Sequence, residues 1–352
     1  MAVTFFAALC CFSCAAEPTK VVHVLSYLST EAAPVGTTTT DVVKNVADSV
    51  VEIRTESITT QWGMQYIVSG AGSGVIVGHG DNESYYIITN NHVVDGARQI
   101  KVSLRSGGEE YSASLIATDV EGDIAVISIK EQTALNVAVW GSSDSLLVGE
   151  DVIAIGNPLG NLGGTVTKGI ISATERSIPV GNYTMKLLQT DTAINPGNSG
   201  GGLFNMRGEL VGIVNAKTSD EAVEGICFAI PSDTARNIFD DLLSDGVVEG
   251  RVSLGISVAV YNTSTVYVTD VGGDGDFKQY DRIAKINDTD ITSLLSYHDA
   301  LAAIKPGDEV RVTLYRYVRS VQGFFGSVTP VFENTPTVIT VTAAQLKKGE
   351  RV

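Results

Sequence analysis

The chain has 352 residues and a formal net charge of −16, from 24 Lys+Arg against 40 Asp+Glu. At roughly 100–200 residues per domain, that length gives two or three domains with real cores. Apolar residues at 44% and charged residues at 18% exclude a disordered chain or a charged coiled coil, and the acidity excludes a nucleic-acid binder, which needs Lys and Arg to neutralise phosphates.

The first segment, Ala2 to Ala16, carries no charge, and Cys10, Cys11 and Cys14 fall within it. It is shorter than the ~20 residues of a comfortable membrane span. Small residues at Ser13-Cys14-Ala15-Ala16 suit cleavage near Glu17, so 1–16 reads as a signal peptide or a truncated membrane leader; lipid attachment at Cys14 is the less favoured reading, because Cys11 and Phe12 make a poor lead-in for it. The expected location is extracytoplasmic, the periplasm or cell envelope, with membrane anchoring if the leader is retained. Residues 17–40, with Thr37-Thr38-Thr39-Thr40, read as a polar tether. A short helix is expected from Asp41, with Val42, Val43 and Val46 on one face and Thr40 or Asp41 as its cap.

From Val50 to Pro231 short apolar runs alternate with turn residues: Gly74-Val75-Ile76-Val77, Tyr85-Tyr86-Ile87-Ile88, Ile124-Ala125-Val126-Ile127, Val152-Ile153-Ala154-Ile155 and Leu210-Val211-Gly212-Ile213-Val214. This spacing predicts an antiparallel barrel or sandwich, not βαβ units. Ser232 is expected to cap a helix whose inner face is Ala235, Ile238, Phe239 and Leu242. A second, smaller α+β unit follows over 249–346, with strands near 255–260, 265–269, 281–287, 309–318 and 337–342 and a helix over 293–304; a tail, 347–352, ends the chain.

The chemistry concentrates in Asn195-Pro196-Gly197-Asn198-Ser199-Gly200-Gly201-Gly202. A serine hydroxyl is a weak nucleophile until a base takes its proton and N–H donors stabilise the oxyanion. Glycines around Ser199 let the N–H groups of Gly197 and Ser199, with Asn198 as an extra donor, converge on one oxygen. The bases available are His23, His79, His92 and His298. His23 lies by the leader, His79 in a turn, and His298 on what reads as a surface helix. His92, at a strand end in Thr89-Asn90-Asn91-His92-Val93-Val94, is the candidate inside the same β unit. A carboxylate must orient the imidazole; Asp123, opening an apolar strand, Asp119 and Asp95 all qualify on composition.

Thr-Asn-Asn-His-Val-Val, Gly-Asp-Ile-Ala-Val and Gln-Thr-Asp-Thr-Ala-Ile-Asn-Pro-Gly-Asn-Ser-Gly-Gly together resemble the signature blocks of the HtrA/Deg serine proteases. Gly72-Ser73-Gly74-Val75, Gly156-Asn157-Pro158 and Gly225-Ile226-Cys227-Phe228-Ala229-Ile230-Pro231 add to the resemblance in the same order. It implies a mainly β fold: a chymotrypsin-like double six-stranded β-barrel protease over 41–246 and a PDZ-like domain over 249–346. It selects His92 as base, Asp123 as orienter and Ser199 as nucleophile, in the chain order of the chymotrypsin template. It also implies cleavage of unfolded or damaged polypeptides, a homo-oligomer (a trimer), and a sensor loop over 173–186 that orders on activation. Ile213, Val214 and Asn215 would line the substrate cleft, with no carboxylate placed to select Lys or Arg, so small aliphatic side chains are expected before the cleaved bond. In the PDZ-like unit Leu254, Gly255 and Ile256 would form the loop that captures a peptide C-terminus. Tyr280 replaces a family glycine, and the segment before it lacks the family's Pro-Ala-Ala helix. Gly202 replaces a family proline and is expected to loosen the segment after the nucleophile.

Other signals fail on context. Gly70-x-Gly72-x-Gly74 precedes a strand, not the helix that a dinucleotide site requires. Asp274 and Asp276 lack the remaining calcium-ligand spacing, and no Cys/His cluster has zinc spacing, so neither metal nor cofactor is expected. Asp191 reads as structural. An α/β-hydrolase would need its His after the serine on a βα framework. A non-proteolytic chaperone or adaptor that holds unfolded chains or peptide C-termini is the alternative of a different class.

Overall fold

The computed structural model describes residues 38–61, 64–105, 110–156, 164–195, 197–216, 225–261, 265–273, 275–322 and 328–347. The leader, nearly all of the tether, the tail beyond 347, Asn157, Pro158 and Asp274 lie outside the described residues. The first element is α1 (Thr39–Val46). Its cap is Thr38, whose hydroxyl accepts from the Asp41 N–H while the Asp41 carboxylate accepts from the Thr38 N–H. This reciprocal box needs an acid three residues on, so it selects Thr38 over the expected Thr40 or Asp41.

Six strands form a closed antiparallel barrel: β1 (Val50–Gln61), β2 (Met64–His79), β3 (Ser84–Thr89), β4 (Gln99–Ser103), β5 (Glu110–Asp119) and β6 (Ile124–Lys130), in the order β1-β2-β3-β6-β5-β4. Pairing of β1 with β4 closes it. A single helical turn, α2 (Asn91–Val94), follows β3. The second barrel uses β7 (Val139–Trp140), β8 (Asp151–Gly156), β9 (Thr165–Val180), β10 (Tyr183–Thr190), β11 (Gly202–Asn205), β12 (Glu209–Asn215) and β13 (Cys227–Pro231). Their order is β11-β8-β9-β10-β13-β12, closed by the β11–β12 pairing, with β7 added parallel to β12.

Side chains alternate across a strand, and here both faces are buried. Ile53, Ile76, Ile87 and Ile127 fill the first barrel, whereas their neighbours Val75, Val77, Ile88 and Val126 join Ile153, Ile155 and Ile213 of the second barrel in one cluster between the two. Val152, Ala154, Val211 and Val214 turn the other way and fill the second barrel. That explains the unbroken apolar runs: one face lines a barrel and the other forms the junction. α3 (Ser232–Ser244) seals this junction with Ala235, Ile238, Phe239 and Leu242, a stripe at helical spacing. Ser232 does not cap it; its hydroxyl donates to the Gly141 carbonyl at 2.8 Å, and Pro231 is the capping position.

The C-terminal unit contains β14 (Val252–Ser253), β15 (Ile256–Tyr261), β16 (Thr265–Val271), β17 (Arg282–Ile286), β18 (Thr289–Asp290), α4 (Leu294–Ala302), β19 (Glu309–Tyr315), β20 (Tyr317–Gln322), β21 (Val328–Phe332), β22 (Thr337–Thr342) and β23 (Ala344–Gln345). β15-β16-β17-β19-β22 form its main sheet, with β15 at an edge, and Ser293 caps α4. The strand expected over 309–318 breaks at Arg316. Its guanidinium turns inward to Asp281 at 2.5 Å and Asp276 at 2.9 Å, and a separate hairpin, β20–β21, follows.

Candidate active site

The site lies where the ends of the two barrels meet. β3 delivers α2 and His92; the turn before β6 delivers Asp123; the turn before β11 delivers Ser199. Asp123 sits at φ 50°, a left-handed conformation that Asp tolerates better than most residues. Its backbone carbonyl accepts from the Asn90 side chain and the Asn91 N–H, both at 3.1 Å. Its carboxylate accepts from the His92 N–H at 3.0 Å on Oδ1, and on Oδ2 from His92 Nδ1 at 2.7 Å and Asn215 Nδ2 at 2.9 Å. A buried carboxylate is an acceptor only, so the imidazole proton belongs on Nδ1 and the Nε2 lone pair is free for the serine. Nε2 lies 3.0 Å from Ser199 Oγ, which also accepts from the Ala216 N–H at 3.1 Å.

The nucleophile turn is fixed peptide by peptide. Gly197 and Gly200 have φ of 100° and 82°, positions that favour glycine. A Cβ on Gly200 would also lie 2.2 Å from the Ser73 carbonyl and 2.3 Å from Thr89 Oγ1. Asn198 donates its N–H to the Asn195 carbonyl at 3.0 Å, and its own carbonyl accepts from Gly201 at 2.9 Å. Among the described residues the N–H groups of Gly197 and Ser199 meet no acceptor. The extra donor expected from Asn198 is therefore corrected: its amide is already used within the turn.

Several other expectations change. Ile213 and Val214 are fully buried in apolar clusters, and Asn215 supports Asp123, so these three side chains line no cleft. The basis for preferring small aliphatic residues goes with them. The carboxylate on His92 is that of Asp123, not Asp119. Asp119 instead accepts the Gly122 N–H at 2.8 Å and pairs with Arg251 at 2.9 Å. Asp191 accepts the Ile170 N–H at 2.7 Å, a structural bond within the second barrel. Residues 173–186 fall in the paired strands β9 and β10, joined by a tight turn at Gly181 and Asn182. Gly202 is not loose. It pairs with Ile155 on one side and Ile213 on the other, and a Cβ there would lie 2.4 Å from the Phe204 ring.

In the C-terminal unit, Leu254 and Ile256 are buried in its core. Gly255, at φ 71°, accepts from Gly272 and Gly273 at 2.8 and 2.9 Å and donates its N–H to Ser253 Oγ at 3.0 Å. His298 is not on the surface: its ring stacks on Tyr183 of β10 at 4.1 Å between centroids. Burial pushes His298 down to about 4, against the pull of Asp299, and burial with Glu121 and Asp119 pushes Tyr183 up to about 12. Arg251 and this stack border a cavity of about 560 Å³ between the units. No cluster of three or more potential metal ligands occurs among the described residues.

Sequence reasoning missed the support of Asp123 by Asn215, and the role of Ser73, whose hydroxyl donates to the Gly197 carbonyl at 2.7 Å. An Asn ending an apolar strand was the available signal for the first, and a polar residue between two glycines of a buried strand for the second.

Two closed barrels with a Ser–His–Asp line at their junction define a trypsin-like serine protease fold, here followed by a PDZ unit. The family model for a trypsin-like peptidase domain matches residues 72–213, and that for a PDZ domain matches 252–322. Serine protease Do-like HtrA of Lactococcus lactis subsp. lactis is 34% identical over 333 residues, 80% of each chain. Serine protease Do-like HtrA of Bacillus subtilis is 48% identical over 195 residues, 54% of this chain and 43% of the relative, so the chain spans less than half the length of that relative. The solved structure of the HtrA-type protease AlgW with a decapeptide superposes with TM-score 0.55 at 30% identity, covering 87% of this chain and 98% of that one. The chain belongs to the HtrA (Do-like) family of serine proteases.

Proposed function

We propose that the chain is a serine endopeptidase that cleaves unfolded or damaged polypeptides in protein quality control. The carrying observation is the line from Asp123 Oδ2 to His92 Nδ1 at 2.7 Å and from His92 Nε2 to Ser199 Oγ at 3.0 Å. Ser199 Oγ attacks the peptide carbonyl carbon while its proton passes to His92 Nε2. The imidazolium so formed is stabilised by Asp123, which Asn215 and the His92 N–H hold in place. The N–H groups of Gly197 and Ser199 point their charge at the oxyanion. His92 then protonates the leaving amine, and water, deprotonated by the same imidazole, releases the acyl group. No step calls for a metal or cofactor.

Relatives whose names call them periplasmic support an extracytoplasmic site of action, and membrane tethering would follow from a retained leader. Among the described residues no helix is long and apolar enough to cross a membrane. The PDZ unit offers an edge strand, β15, to an extended peptide C-terminus. A homo-oligomer, a trimer, is the assembly we propose from the family.

A fluorophosphonate probe tests the reading, since an activated serine attacks its phosphorus, displaces fluoride and is left as the phosphonate ester. Wild type should be labelled at Ser199, and Ser199→Ala should take no label while keeping its circular dichroism spectrum. Equal labelling of both proteins would sink the protease reading in favour of a non-proteolytic chaperone.

A further inference from the structure

Ser73 lies in the middle of β2 and is fully buried, yet each of its polar groups reaches toward the candidate site. Its N–H donates to the Ser199 carbonyl at 2.8 Å. Its hydroxyl donates to the Gly197 carbonyl at 2.7 Å. Its carbonyl accepts from Thr89 Oγ1 at 2.7 Å, and Thr89 is the last residue of β3 before the turn that carries His92. One residue of the first barrel thus joins the nucleophile turn of the second barrel to the base-bearing turn of the first.

The two bonds to the nucleophile turn differ in what they control. A peptide unit is planar, with its C=O and N–H pointing opposite ways. Holding the Ser199 carbonyl fixes the unit whose N–H belongs to Gly200, and that N–H has its own partner in Val214. Holding the Gly197 carbonyl fixes the unit between Gly197 and Asn198. That unit adjoins a glycine at φ 100°, which has no Cβ to restrict its rotation. Without the hydroxyl it keeps one tether among the described residues, the bond from Asn198 N–H to the Asn195 carbonyl at 3.0 Å. Its rotation would carry the N–H groups of Gly197 and Ser199 away from a common point.

We propose that Ser73 is a positioning residue for the oxyanion hole: its hydroxyl locks the Gly197–Asn198 peptide so that the Gly197 and Ser199 N–H groups converge. The inference rests on the protease reading above and deepens it. It separates hydroxyl from backbone, because the N–H and C=O bonds of Ser73 survive substitution. Ser73→Ala removes the lock, leaves the triad atoms in place, and takes from the half-buried Gly197 carbonyl its donor.

The test compares wild type, Ser73→Ala and Ser73→Cys in the full chain, using an internally quenched peptide and a peptide boronic acid. Boron accepts the Ser199 oxygen, the hydroxyl proton passes to His92, and the tetrahedral adduct places a boron-bound oxygen in the hole. Losing one oxyanion donor outright costs roughly 100- to 1,000-fold in kcat, so misplacing the pair should cost about 10- to 100-fold. KM should stay within about threefold, and boronate affinity should fall by the same factor as kcat/KM. The thiol of Ser73→Cys donates weakly at similar volume, so it should show the same split and carries the test if Ser73→Ala does not fold. Both variants within about twofold of wild type, a loss confined to KM, or unmoved boronate affinity overturns the inference while leaving the protease reading intact. A wild type that neither cleaves the peptide nor takes the fluorophosphonate overturns both.

Discussion

The two junctions in this chain are built by different physics. Between the barrels lies a continuous apolar cluster with α3 packed over it, and hydrogen bonds cross it to the nucleophile turn from Ser73 and to Asp123 from Asn215. Between the protease and PDZ units lie the ion pairs of Arg251 with Asp119 and Glu121, a Tyr183–His298 stack, and a cavity of about 560 Å³. Burial pushes the Glu121 carboxyl upward there, against the pull of Arg251. The first junction is a core that holds three side chains within hydrogen-bond distance of one another. The second is a charged, partly hollow contact that small changes in charge can loosen. Precision is needed where bonds are made and broken, and the apolar junction supplies it.

Three substitutions test that contrast. Asp123→Asn keeps the shape of the barrel junction but turns one carboxylate oxygen into a donor, so His92 is held in the wrong tautomer. Its kcat should fall about ten-thousand-fold with little change in melting temperature; a loss below about tenfold would mean that the Asp123–His92 bond is only structural. Gly202→Ala probes the packing of the junction cluster behind the nucleophile. A methyl against the Phe204 ring should cost about 1–3 kcal/mol in urea unfolding, and Phe204→Leu in the same chain should restore part of it. Additive losses in the double variant would show that the ring is not what excludes the side chain.

The smallest effect concerns the PDZ junction. His298 titrates near 4 in the folded chain against 6.5 as its ordinary value. The folded state therefore binds this proton later than the unfolded state. The stability contributed is whole above 6.5 and is lost as pH falls toward about 4. Wild type should lose a few degrees more of melting temperature than His298→Phe across that window, about 2–4 °C. Parallel melting curves would show that the stack does not couple to protonation.

What could be read in the sequence follows from what is local. The apolar stripe of α3 and the short strands depend on side chains near in sequence, and a β unit followed by a smaller α+β unit follows from them. Chemistry also selected a serine between glycines and a histidine at a strand end. Tertiary packing hid the rest. Asn215 reads as a cleft residue until β12 is seen to bring its amide to Asp123. Gly202 reads as slack until the Phe204 ring is found in the space a side chain would take. His298 reads as exposed because the face of α4 that carries it is covered by Tyr183, more than a hundred positions earlier in the chain. Ser73 gives little sign of itself, since its partners come from β3 and from the turn before β11.

Hydrolysis of casein by wild type beside Ser199→Ala tests the central claim most directly. The triad account predicts cleavage by wild type and a loss of about ten-thousand-fold or more in the variant, with its fold intact. Cleavage by Ser199→Ala at the wild-type rate would contradict it.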